Sequence, residues 1–210
     1  QKEALFSAME HGVMVLTGGP GTGKTTIIKG LISIFSSLDM EVSLAAPTGR
    51  AAKRMSEATS TEAKTLHRLL EFSGEEGKFL RDEQKPLDCA CVIVDEMSMV
   101  DVFLMRALLR AVPLGARLIL VGDADQLPSV GAGNVLKDIL KSGVIPSARL
   151  TEIFRQAESS LIVRNAHAIN RGEMPVLNQK GGNFFFEKRA SAESAAETIV
   201  DLCTVRLPGY

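Results

Sequence analysis

Tryptophan is absent from this sequence of 210 residues, and the single tyrosine is Tyr210. Base stacking is therefore poorly provided for, and any nucleic-acid contact should rest on gripping the phosphate backbone. An excess of charge is lacking too: 24 Lys and Arg face 25 Asp and Glu, a net charge of −1. Overall charge gives no sign of nucleic-acid binding, so such a site would have to be a local patch. Cysteines are few, Cys89, Cys91 and Cys203. Cys89 and Cys91 are two apart in an apolar stretch and read as small core residues of a cytoplasmic protein, with too few ligands nearby for zinc. No apolar run approaches the roughly 18 residues of a membrane span, and no signal peptide is visible. What is present is 45% hydrophobic residues, enough for the core of one large domain. The chain opens at Gln1 and closes on Leu207-Pro208-Gly209-Tyr210 without an evident end, so a piece of a longer protein is expected.

The most informative stretch is Val13 to Ile28, VMVLTGGPGTGKTTII. An apolar run, Val13 to Leu16, reads as a buried strand. Gly18 to Thr25 follows at once and fits G-x-x-x-x-G-K-[ST], and an amphipathic run from Thr26 to Leu38 reads as a helix. Strand, glycine loop and helix in that order are the context a phosphate-binding loop needs. Its backbone N–H groups turn inward, and the helix N-terminus adds partial positive charge. Gly19, Pro20, Gly21, Thr22, Gly23, Lys24, Thr25 and Thr26 are the expected nucleotide contacts. Lys24 would reach the β- and γ-phosphates, and the Thr25 hydroxyl would take a Mg²⁺ position.

Further strands are predicted at Val42–Ala46, Cys91–Val94, Arg117–Val121, Ala148–Thr151 and Asn183–Glu187. Helices are predicted over Gln1–Glu10, Arg50–Ala58, Thr65–Leu70, Asp101–Val112, Asn134–Lys141, Ser159–Arg171 and Ala192–Val205. Residues 72–87 are rich in Gly and charge and fit either a solvated loop or a small hairpin. Apolar strands alternating with helices argue an α/β fold, a mostly parallel sheet with helices on both faces. Ligands of such a sheet sit beyond the strand C-termini, where the motifs fall.

Asp95 and Glu96 directly follow the apolar run ending at Val94. Asp95 suits the second side of a Mg²⁺ ion, and Glu96 suits the base that activates water. In Gly122-Asp123-Ala124-Asp125-Gln126, the Gln126 amide could bond both a γ-phosphate and a water. Arg155 could stabilise transition-state charge.

The set GGPGTGKT, APTGRAAKRM, TLHRLL, VIVDEMSMVD, LVGDADQLPSVGAG and LTEIFRQ, in this order, resembles superfamily 1 DNA helicases of the RecD/TraA type. The resemblance implies a RecA-like P-loop fold using ATP and Mg²⁺ and translocating along single-stranded DNA, usually 5′ to 3′. It implies that Gln1 contacts adenine and that His67 belongs to a DNA-contacting segment. Pro47, Thr48, Gly49 and Arg50, followed by Lys53 and Arg54, open a helix at a strand end and suit phosphate contact through hydroxyl, N–H and charge. The family's second motor domain has no full counterpart here. Residues 1–175 would be the first motor domain, with 72–87 inserted as a hairpin, and 176–210 the start of the second. Helicase–nuclease complex subunits are possible partners. The alternatives are another kind of P-loop ATPase, or a regulatory nucleic-acid module that binds ATP without turnover.

Overall fold

The computed structural model describes residues 1–152, 160–177, 179 and 182–207. The chain divides into two compact units, Gln1–Ala157 and Glu158–Tyr210.

The first unit is built on a six-stranded sheet. Its strands are β1 (Val13–Gly18), β2 (Val42–Ala46), β3 (Ala63–Thr65), β6 (Cys91–Val94), β7 (Arg117–Gly122) and β8 (Ser147–Leu150). They lie in the order β3-β2-β6-β7-β1-β8, and every pairing is parallel. Parallel strands need crossovers, and these carry α2 (Lys24–Ser37), α3 (Gly49–Thr59), α4 (Leu66–Leu69), α5 (Val102–Ala111) and α6 (Val135–Ser142), while α1 (Lys2–Glu10) precedes the first strand.

Strand alternation explains the layering. Met14, Leu16, Ile93, Ile119 and Val121 share one buried cluster with Ala4, Ala8, Ile28, Leu31 and Phe35 of α1 and α2. Their neighbours Val15, Val92, Val94, Leu118 and Leu120 point the other way, into a cluster with Leu66, Met105, Leu108 and Leu136. Because both faces are covered, the strands read as unbroken apolar runs. Each such side chain contributes roughly 1.5–3 kcal/mol on full burial. Cys91 belongs to the first cluster, and burial pushes its thiol up to about 12, as suits an inert core residue.

Residues 72–79 form a small antiparallel hairpin, β4 (Phe72–Ser73) and β5 (Lys78–Phe79). Its base is tied by Glu71, which accepts from Arg81 Nε at 2.8 Å and from Lys85 Nζ at 2.7 Å. Arg110 of α5 pairs with Glu83 at 2.9 Å, holding the following loop against the body.

In the second unit, helix Leu161–Asn170 is followed by helix Ala192–Asp201, which widens into a π-helical turn at Leu202–Arg206. The strand expected at Asn183–Glu187 is corrected: the segment pairs with no strand among the described residues. Its first residue serves the neighbouring helix instead, with Asn183 Nδ2 donating to Ser160 Oγ at 2.9 Å and Asn183 Oδ1 accepting from Ile162 N–H. Buried Asn165 performs the pairing a strand would, exchanging two 2.8 Å bonds with the backbone of Val176. Among the described residues no helix is long and apolar enough to cross a membrane.

Candidate functional site

Strand β1 ends at Gly18, beneath the glycine loop. A Cβ at Gly18 would lie 2.6 Å from Thr22 Oγ1 and 2.9 Å from the Leu150 carbonyl, so no side chain fits there. Thr22 is buried and its hydroxyl donates to the Gly19 carbonyl at 2.9 Å, closing the loop on itself. Gly23 caps α2 in the left-handed region at φ 89, which an L side chain rarely adopts. Helix α2 then starts at Lys24, two residues earlier than its apolar pattern suggests. The Lys24 ammonium lies over the loop, donating to the carbonyls of Gly18 at 2.6 Å and Gly19 at 3.1 Å. Thr25 and Thr26, in the first turn, are exposed.

Strand β6 brings the acids to the same place. Lys24, Thr25, Asp95 and Glu96 line one cavity of about 230 Å³, completed by Ile28 and by Ala51, Arg54, Met55, Ala58 and Thr59 of α3. Asp95 Oδ1 accepts the Glu96 N–H at 2.8 Å, and Glu96 sits in the left-handed region at φ 56. That turn sets two adjacent carboxylates at one cavity. Burial pushes the Asp95 carboxyl above the usual carboxylate value, against the Glu96 N–H and Lys24, which favour its charge. Burial, then the neighbouring Asp95, push Glu96 upward as well, opposed by Lys24 and Arg54.

A group whose folded pKa is raised stabilises the fold below its unfolded pKa and loses that contribution as pH rises through the folded value. Ionised Asp95 therefore costs stability at neutral pH. Asp95→Asn keeps the acceptor for Glu96 N–H and removes the charge. It is expected to raise the melting temperature at pH 7 by roughly 2–4 °C, the response of a domain this size to about 1 kcal/mol. A lower melting temperature in a thermal scan without nucleotide would contradict this electrostatic account.

Gln126 follows β7 and is exposed. It is held by the buried Ser98, whose hydroxyl donates to Gln126 Oε1 at 3.0 Å. Gln1 holds the N-cap position of α1 without a side-chain cap bond, and it lines a separate hollow of about 560 Å³ with Thr22, Arg149, Leu150, Thr151 and Glu152. Arg155 lies outside the described residues.

At the other end of the sheet, β2 and β3 pair as Ala46↔Thr65, so the segments leaving them are neighbours. Pro47 leads into Thr48, which caps α3 by accepting the Ala51 N–H at 3.2 Å. Gly49 and Arg50 are exposed in its first turn. Thr65 caps α4, and the exposed His67 follows. Its ring centroid lies 5.5 Å from both Phe72 and Phe79 of the hairpin, which are 5.0 Å from each other.

Sequence reasoning missed three features. The His67–Phe72–Phe79 cluster offers aromatic surface where stacking had seemed poorly provided for, and it exists only because the hairpin folds back. Arg54, grouped with phosphate-backbone contacts by its place in the sequence, lines the Lys24 cavity. Ser98 gave no motif signal of its own.

A glycine loop between β1 and α2, paired acids at the end of β6 and helices on both faces of a parallel sheet define a RecA-like P-loop nucleoside-triphosphatase fold. A family model described as an AAA domain matches residues 1–132, and the chain belongs to that family. It is 44% identical over 180 residues to the ATP-dependent RecD2 DNA helicase of Deinococcus radiodurans, covering 86% of this chain and 25% of that protein. It is 40% identical over 198 residues to the RecBCD enzyme subunit RecD of Mycobacterium tuberculosis, covering 82% of this chain and 34% of the subunit. The chain thus spans a quarter to a third of the length of these relatives. The Pif1 helicase of Candida albicans matches in fold with a TM-score of 0.58 at 23% identity, over 83% of this chain and 44% of that one.

Proposed function

We propose that this chain is the first motor domain of a RecD-type superfamily 1 DNA helicase, which couples ATP hydrolysis to movement along single-stranded DNA in the 5′ to 3′ direction. The observation that carries this reading is the gathering of Lys24, Thr25, Asp95, Glu96 and Arg54 around one cavity at the strand C-termini. The donor set fits a triphosphate with Mg²⁺: an ammonium and loop N–H groups for phosphate oxygens, and a hydroxyl and a carboxylate for a hard cation. Bound there, Mg²⁺ would neutralise charge on the β- and γ-phosphates. Gly19 to Thr26 cradle the phosphates, and Lys24 binds their terminal oxygens. Thr25 and Asp95 would hold the metal. Glu96 takes the proton of the attacking water, and Gln126 orients the γ-phosphate end. Arg155 supplies further positive charge to the transition state, and Gln1 reads the base in the hollow beside Thr22.

The DNA path is the surface of Pro47, Thr48, Gly49, Arg50 and His67, with the exposed Phe72 ring beside His67 available to bases, while Phe79 packs against the core. Helix α3 spans both functions. Its N-terminus carries Arg50, and one turn later Arg54 enters the phosphate cavity. A change at the γ-phosphate therefore has a rigid element through which to move the DNA grip. Replacing Thr48 and Arg50 by alanine is expected to weaken single-stranded DNA binding while sparing ATP binding. Loss of Arg50 should also reduce the salt slope by about one counterion. An unaltered slope in a salt titration would take Arg50 off the path.

Residues 1–175 form the first motor domain in this reading, and 176–210 begin the second. A second motor domain of the same chain and subunits of a helicase–nuclease complex are the protein partners, in a cytoplasmic setting. The residues lining the phosphate cavity all come from the unit Gln1–Ala157, which leaves its charges partly solvated unless a second domain closes over them. Residues 1–210 alone are accordingly expected to leave a tailed duplex unseparated in a strand-displacement assay. Robust displacement would remove the need for a second gripping domain.

A further inference from the structure

Ser98 is one of the few buried polar side chains among the described residues, at 7% exposure, and its bond to Gln126 crosses 28 positions of sequence. It lies in the 3₁₀ turn Met97–Met99, directly after Glu96. That turn is pinned from several sides. Asp95 N–H donates to the Ala45 carbonyl at 2.9 Å, and Met99 N–H to the Glu96 carbonyl at 3.0 Å. The turn also presses on the end of β7, where a Cβ on Gly122 would lie 3.2 Å from Met97 N. Gln126 is exposed, and its own N–H makes only a 3.3 Å bond to the Asp123 carbonyl. An exposed glutamine side chain samples many rotamers unless something holds its end.

We propose that Ser98 is a positioning residue that aims the Gln126 amide at the terminal phosphate; this rests on the nucleotide-hydrolysing reading of the Lys24 cavity. An amide offers an acceptor oxygen and two N–H donors. With one lone pair of Oε1 engaged by the Ser98 hydroxyl, the amide's orientation is held and its two Nε2 donors are available to a ligand. Phosphate oxygens only accept, so Gln126 meets the phosphate as a donor, and a neutral amide takes no proton, which leaves that role to Glu96. Glu96 and Ser98 stand on one turn, so the base and the tether of the sensor are fixed relative to each other. Their geometry is set before nucleotide arrives, which is the condition for effective electrostatic and proton-transfer catalysis.

The test is steady-state ATP hydrolysis by the full-length helicase at saturating single-stranded DNA. Four variants are compared with wild type: Ser98→Ala, Ser98→Thr, Gln126→Ala and the double alanine. Ser98→Ala is expected to lower kcat about tenfold, the usual effect of one lost orienting hydrogen bond, and to leave KM for ATP within about twofold. Ser98→Thr keeps the hydroxyl and should recover most of the loss. In the Gln126→Ala background, adding Ser98→Ala should change nothing further. Wild-type kcat in Ser98→Ala, equal losses in both backgrounds, or no recovery with threonine would each overturn the assignment. Lys24→Ala in the same assay separates the two readings. Hydrolysis that survives it refutes the Lys24 cavity as the site and this proposal with it. Hydrolysis lost there but indifferent to Ser98 refutes the proposal alone.

Discussion

Lys24→Ala is expected to weaken ATP binding by roughly a hundredfold and to bring hydrolysis to background, since truncating one partner of a desolvated charge contact costs about 2–5 kcal/mol. The ammonium lies at the mouth of the glycine loop, 2.6 Å from the Gly18 carbonyl and 3.1 Å from that of Gly19. These bonds hold the charge over the loop and beside the cavity it shares with Asp95 and Glu96. Two nearby carboxylates repel a triphosphate, so in the proposed role Lys24 would offset them as well as bind phosphate. Lys24→Arg should not restore function: a planar guanidinium spreads its charge and is too broad for a loop closed by the Thr22–Gly19 bond. Calorimetry on the full-length protein, in which a second domain closes over the cavity, reads the effect, with a thermal scan as a control for folding. Wild-type affinity in a folded Lys24→Ala protein would contradict the phosphate-loop assignment.

Glu96→Gln should separate binding from chemistry. The substitution keeps size and hydrogen bonding but removes the base, so hydrolysis should fall by roughly a hundredfold or more. ATP affinity should hold or improve, because a carboxylate charged against the triphosphate is gone. The wild-type pH profile carries the same signature. Burial and Asp95 raise Glu96 above the ordinary carboxylate value. The base is active only when ionised, so turnover should decline as pH falls through that raised value. Decline should begin at a higher pH than a solvated glutamate would give. Near-wild-type turnover in Glu96→Gln would move the base to another residue.

Much of this site was legible in the sequence because its parts are local. Buried parallel strands announce themselves as apolar runs, and the loop, Asp95–Glu96 and Gln126 each sit where such a run stops. Strand β3 was not legible: Ala63-Lys64-Thr65 is short, half-buried at the sheet edge and polar at its centre. The segment Asn183–Glu187 failed in the opposite sense. Its phenylalanines look like a strand, but pattern alone does not supply a partner to pair with. Composition alone left 72–87 open between a loop and a hairpin, because the hairpin's strands are two residues each, and only the family resemblance favoured the hairpin. The ring cluster of His67, Phe72 and Phe79 and the bond from Ser98 to Gln126 are products of register and folding back. Neither leaves a spacing in the sequence that a motif could catch. Arg54 shows the limit of reading a helix by its first turn. Four residues past Arg50, it lines the cavity of Lys24.

In the proposed motor, ATP turnover at the Lys24 cavity is coupled to a DNA grip carried by α3 and the His67 segment. The most direct measurement is the rate of ATP hydrolysis by the full-length protein as single-stranded DNA is titrated in. Turnover is expected to climb with DNA to a plateau, and Thr48→Ala with Arg50→Ala to shift the climb to higher DNA concentration. Turnover that is the same with and without DNA would contradict it, and would leave a P-loop ATPase of another kind.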